Sequence, residues 1–176
     1  MSTVTEPNDQ DLSRRLRANR GGHIRPGFTA RIERALGSRV DASDVLDLVA
    51  TDGLAEALAV RLKAEPPTRT WPEAQRSAVV EYLGGIAHRL DPAHVSYLTY
   101  FEGWEELGAL RLHSAAVCAQ ADAIWEEGAE PLCLLARDLS DGLFLDYTEP
   151  AQMQGADEYE LWIWGAFARA ARRDQN

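Results

Sequence analysis

Apolar side chains recur every three or four positions through the first half of the chain and closer to every second position in much of the rest, with the change of period at Pro92. Phe28, Ile32 and Leu36 recur at i, i+4 and i+8 between Pro26 and Gly37, which predicts a helix with proline in its first turn and glycine at its C-terminal cap. Gly21-Gly22 is expected to break it from DLSRRLRANR upstream, where only Leu12 and Leu16 form a stripe. Residues 41–50, with Val45, Leu46 and Val49, and residues 54–64, with Leu54, Leu58 and Leu62, read as two helices separated by Asp52-Gly53. Pro66-Pro67 makes residues 65–69 a linker. Thr70-Trp71-Pro72-Glu73 then places a hydroxyl three residues before a glutamate, a capping box for a helix whose stripe is Val79, Leu83, Ile86 and Leu90. That helix should stop at Asp91-Pro92. Gly84-Gly85, inside it, is expected to mark close helix packing.

Beyond Pro92 the pattern suits strands. Residues 95–101 (VSYLTYF) are β-branched and aromatic, and 109–112 predict a short second strand. Ser114 can cap a helix running to Glu127 and ended by Gly128. Residues 132–147, LCLLARDLSDGLFLDY, read as a β-hairpin in which Asp141-Gly142 supplies the pair that tolerates positive φ. In residues 159–164, Trp162 and Trp164 share one face while Tyr159, Leu161 and Ile163 share the other, so this strand should be covered on both sides, the alternative being that one face is a binding surface. Gly165 leads into a terminal helix with Arg169, Arg172 and Arg173.

The fold class that follows is α+β. Residues 1–24 are expected to be a flexible or weakly helical basic arm and residues 25–91 a helical region of about four helices. Residues 92–176 should form an acidic α+β region, an antiparallel or mixed sheet of four to five strands with one covering helix, on which the helical region packs.

With 176 residues, 45% of them hydrophobic, the chain can bury one ordinary core or two small lobes sharing an interface. Its net charge of −10 is distributed unevenly. Residues 1–40 carry eight arginines against four acids, whereas residues 92–176 carry fifteen acids against five bases. An extended negative surface repels phosphate backbones, so direct nucleic-acid binding through the acidic region is not expected. Lys63 is the single lysine beside 17 arginines, a skew that GC-rich bacterial coding accounts for. The start, MSTVTEPNDQ, resembles neither a signal peptide nor an anchor, and no apolar run reaches the ~18 residues of a membrane span. A cytoplasmic location without membrane contact is the expectation.

Chemical motifs are sparse. Cys118 and Cys133 lack the neighbouring ligands of a zinc site and read as buried thiols; no cofactor or metal is expected. His23, His88, His94 and His113 form no HxxxH or HxH pair, and Ser96, Ser114 and Ser140 lack a nucleophile-elbow context. Acids mixed with aromatic anchors suit steered capture of a cationic protein. The expected function is a non-enzymatic acidic binding module, of the bacterial immunity or inhibitor type, that neutralises a basic partner such as a toxin. Its candidate contacts are Glu105, Glu106, Asp138, Asp141, Asp157 and Glu158. The alternative is a small enzyme with Glu102 or Asp146 as acid or base in a pocket between the halves. A third arrangement is self-association, the acidic region of one copy meeting the Arg-rich N-terminus of another.

Overall fold

The computed structural model describes residues 7–40, 45–128, 131–148 and 158–172. Its framework is one antiparallel sheet of six strands, β1 (Arg69–Pro72), β2 (Val95–Thr99), β3 (Leu110–His113), β4 (Leu132–Leu135), β5 (Gly142–Thr148) and β6 (Glu158–Trp164), in the spatial order β1-β6-β5-β4-β2-β3. The expected α+β class holds, with six strands in place of four or five. The additional strand is RTWP, expected to be linker and capping box. It instead pairs Arg69 with Leu161 and Trp71 with Tyr159, while the Thr68 amide donates to the Leu161 carbonyl at 2.6 Å. Pro72 has no amide proton to offer a ladder, and it is tolerated because β1 is an edge strand.

Seven helices surround the sheet among the described residues: α1 (Pro7–Leu36), α2 (Leu48–Ala64), α3 (Arg76–Ala87), α4 (Trp104–Leu107), α5 (Ser114–Ala119), α6 (Ala121–Glu126) and α7 (Ala166–Arg172). None is long and apolar enough to cross a membrane. The expected break at Gly21-Gly22 is absent, and one helix of 30 residues runs through both glycines and Pro26. Its two ends are held separately. Phe28 stacks on Phe101 at 3.9 Å and Ile32 is fully buried, while Arg17 grips both oxygens of Asp52 on α2 at 3.0 and 2.6 Å. Gly21 is required by contact: a Cβ there would stand 2.0 Å from the carbonyl oxygen of Glu106.

Asp52-Gly53 likewise lies inside α2. The helix begins at Asp47, whose carboxylate accepts from the Ala50 amide at 2.9 Å, and its Leu54-Leu58 stripe is buried. Thr51 bonds it to the sheet, donating to the Asp47 carbonyl and accepting from the Ala109 amide, both at 2.9 Å. The capping box does not form; a 3-10 turn over Glu73–Gln75 precedes α3, and neither has a side-chain cap. The α3 stripe of Val79, Leu83, Ile86 and Leu90 is buried as expected. The single helix expected after Ser114 is two short ones, α5 and α6.

The two faces of the sheet are both apolar and both covered, which is what the β6 pattern required. Leu98, Leu110, Leu112, Leu132, Leu134, Leu143, Leu145, Leu161 and Ile163 face a core shared with α3, α5, α6, α7 and the second half of α1. Cys133, Leu135, Phe144 and Trp164 face Leu54 and Leu58 of α2. The expectation of one covering helix is therefore corrected. A sheet whose central strands are apolar on both faces must be sandwiched, and among the described residues α2 is the helix that supplies the second layer.

The glycines of α1 give a direct test. Gly21→Ala should lower stability by about 1–3 kcal/mol, because its methyl group meets α4 backbone that cannot step aside. Gly22→Ala meets nothing within 4 Å and should gain up to about 1 kcal/mol from helix propensity. Urea midpoints that move in the same direction for both variants would contradict this packing.

Candidate functional site

The candidate acids do not form one patch. Strand pairing places Asp138 and Asp141 at the β4–β5 hairpin end of the sheet, beside Trp164 and the start of β2. Glu158 pairs with Thr148 at the opposite end, and Glu105 and Glu106 lie on α4, which follows β2 at that same end. With strands ~4.8 Å apart, three strand spacings still separate β6 from β2. Asp157 lies outside the described residues.

The hairpin turn differs from expectation in a way that decides the role of Asp141. Positive φ falls on Leu139 (57°), and the turn closes through the Ala136 amide donating to the Asp141 carbonyl at 2.9 Å. Gly142 is needed because the Trp164 ring lies against it; a Cβ would be 2.0 Å from that ring. Asp138 is exposed and accepts from the Ser140 amide at 3.0 Å and the Ser140 hydroxyl at 2.7 Å, bonds that hold its carboxyl below the ordinary aspartate value. Asp141 points inward with its side chain 20% exposed. It accepts from the Ala166 amide at the start of α7, lies 3.3 Å from His94 Nε2, and is 3.7 Å from an Arg169 nitrogen.

His94 continues this network inward. Its Nδ1 is 2.8 Å from Ser114 Oγ, which is 2.8 Å from Ser96 Oγ. With the imidazole proton on Nε2, donation runs in one direction: Ser96 to Ser114, Ser114 to His94, His94 to Asp141. Every hydroxyl and ring proton in the chain then has an acceptor. The residue types are those of a nucleophilic triad, but the hydroxyls of Ser96 and Ser114 belong to buried residues, 1% and 0% exposed. A nucleophile must reach its substrate. This row of bonds instead ties β2, the β3–α5 junction, the hairpin and α7 together at one end of the sheet. Sequence reasoning left these residues unconnected, because His94 and Asp141 are 47 positions apart.

The arginines of α1 are also committed. Arg17 pairs with Asp52, Arg31 with Glu102 at 3.0 Å and Arg34 with Glu127 at 3.4 Å, so the charge imbalance along the sequence partly cancels in space. Glu102, the first candidate acid or base, has its side chain 72% exposed in that pair. An open groove of about 600 Å³ beside it is lined by His23, Phe28, Arg31 and Glu106.

A different surface emerges on the α2 face. Trp104 stacks on Tyr100 at 4.8 Å, Tyr100 meets Phe144 edge-on at 5.9 Å, and Phe144 meets Trp162 at 5.7 Å. This aromatic row crosses the sheet from the end of β2 to β6. Alternation then places Asp146 beyond Phe144, and Glu160 and Glu158 beyond Trp162, on that same face. Asp146 and Glu160 stand directly opposite one another across the ladder. Helix α2 starts near Ala109, and the carbonyl of Glu65, just after its end, accepts from Trp162 Nε1 at 2.9 Å. Of these residues, Glu158 was among the candidate contacts and Asp146 was a candidate acid or base of the alternative reading; the alternation of EYELWIW contained the signal for Glu160.

Among the described residues no group of three or more His, Cys, Asp or Glu side chains is placed to hold a metal ion. No protein-family profile matches the chain, and searches of curated proteins and of solved structures return no match.

Two outcomes are expected here. Asp141→Ala should cost about 1–3 kcal/mol in urea denaturation, since it strands the Ala166 amide and a half-buried imidazole, whereas Asp138→Ala should leave the midpoint in place. Equal effects would refute the inward role of Asp141. Cys118 and Cys133 are both buried, and burial pushes each thiol up from 9.0 to about 12. A folded pKa above the unfolded one means that their contribution is complete below pH 9 and is lost as pH rises from there towards 12. Stability should therefore fall across that window, and less so in a Cys118→Ala/Cys133→Ala variant.

Proposed function

We propose that this protein is a non-enzymatic, acidic protein-binding module that covers a basic partner, in the manner of an immunity or inhibitor protein neutralising a toxin. The observation that supports this reading is the corner of the sheet where the row Trp104, Tyr100, Phe144 and Trp162 runs into Asp146, Glu158 and Glu160. Trp104, Tyr100 and Trp162 are partly exposed around the buried Phe144; such rings give contact area at small entropic cost, and their faces attract guanidinium and ammonium groups. Carboxylates at the rim steer such groups inward and strengthen the selection of a cationic surface. Glu105 and Asp138, both exposed, add to the long-range field without belonging to that corner. Asp141 has no part in the contact, because its carboxylate is used inside the protein.

The test uses tagged wild-type protein and a Glu158→Lys/Glu160→Lys variant to capture partners from the producing cells at low salt, with mass-spectrometric identification. Basic proteins should be retained by the wild type and lost from the variant, and co-expression should suppress any toxicity of the captured protein. Partners that are neutral or acidic, or that bind the charge-reversed variant equally well, would sink the proposal.

A further inference from the structure

We infer that the groove between β1 and α3, on the face of the sheet opposite the acidic corner, is a binding site for a small aromatic anion: a flat ring carrying a phosphate or a carboxylate. The groove measures about 670 Å³, within the range of small-molecule sites. One wall is the edge strand, with Arg69 and Trp71; the other is the face of α3 bearing Tyr82, Gly84 and Gly85 and ending at His88 and Arg89.

Arg69 defines the ligand's charge. Its guanidinium carbon lies 4.8 Å from the Trp71 ring centre and 4.9 Å from that of Tyr82, so two aromatic rings fix it in place. Among the described residues these ring contacts are the only ones its guanidinium makes, which leaves its donor edge available for a bidentate acceptor. In a chain of net charge −10, an arginine held by rings and not by a carboxylate is conspicuous. Arg89 is differently placed: it donates to the Ala170 carbonyl at 3.0 Å and lies across Gly85, where a Cβ would come within 3.0 Å of it. His88 and Arg89 line this end of the groove, and Glu81 is the one acid among its described lining residues.

Gly84 defines the ligand's shape. Two adjacent glycines in a helix weaken it, and the expected reason, close packing, does not apply to this one. A Cβ on Gly84 would meet nothing within 4 Å, because it would project into the groove. The missing side chain leaves helix backbone as the floor, flat enough for a ring to lie on it beside Tyr82 while its anionic group reaches Arg69.

The test is calorimetric titration of the full chain with adenosine monophosphate and with indole-3-acetate, alongside inorganic phosphate alone and adenosine alone. At least one ring-bearing anion should bind roughly tenfold or more tightly than phosphate or adenosine, and which one does so identifies the anionic group. Arg69→Gln should weaken that binding by about tenfold or more, the loss expected for a charged hydrogen bond. Gly84→Leu should abolish it while keeping or raising the melting temperature, since the helix gains a better former and no atom is displaced. No binding by either ring-bearing anion, inorganic phosphate binding as tightly as both, or binding that survives both substitutions would each overturn the inference. The Glu158→Lys/Glu160→Lys variant should bind the same ligand normally, so this site and the protein-binding corner stand or fall separately.

Discussion

All four residues of β4, Leu132 to Leu135, are buried, although their side chains alternate across the sheet. A strand dry on both faces obliges the protein to build two layers, one above and one below, and most of the architecture answers that demand. On one face the cover comes from four helices and half of a fifth. On the other it comes from α2, which touches Cys133, Leu135, Phe144 and Trp164 but is narrower than the sheet. Among the described residues, the corner where β5 and β6 carry their carboxylates lies beyond it, and that corner is the candidate binding surface.

The same constraint explains which local signals were overridden. A helix-interior glycine costs about 1 kcal/mol and a proline about 3, whereas burying a large apolar side chain gains about 1.5–3 kcal/mol each. Phe28 and Ile32 beyond Pro26, and Leu54 and Leu58 beyond Gly53, are all buried. Two such side chains per helix outweigh the break signal before them. Local punctuation predicts termination only where no tertiary contact is waiting on the far side.

Segments rich in apolar, β-branched and aromatic side chains were legible: VSYLT, LCLL, LFLDY and YELWIW lie in strands where the sequence placed them. RTWP was not, since four residues ending in proline carry no period and become a strand only because β6 offers an edge. For the candidate sites, the sequence revealed composition but not pairing. It could show an arginine-rich start and an acidic end, yet not that Arg17, Arg31 and Arg34 would each find a carboxylate 35 to 93 residues away. Asp141 had the local look of an exposed turn acid. Its inward orientation depends on His94 and Ala166, neither of which is near it in the chain.

Those long-range pairs also bear on how charge and function are related in this protein. Exposed ion pairs contribute at most about 1 kcal/mol each, so Arg31–Glu102 and Arg34–Glu127 do little to hold α1, whose place is set by Phe28, Ile32 and the glycine contact at Glu106. Their larger effect is electrostatic: each neutralises an acid along the α1 side, so part of the charge imbalance along the sequence cancels in space. In the proposed role, a cationic partner is steered by the field of the whole molecule and retained where carboxylates adjoin a partly exposed aromatic ring, as Glu158 and Glu160 adjoin Trp162 on β6.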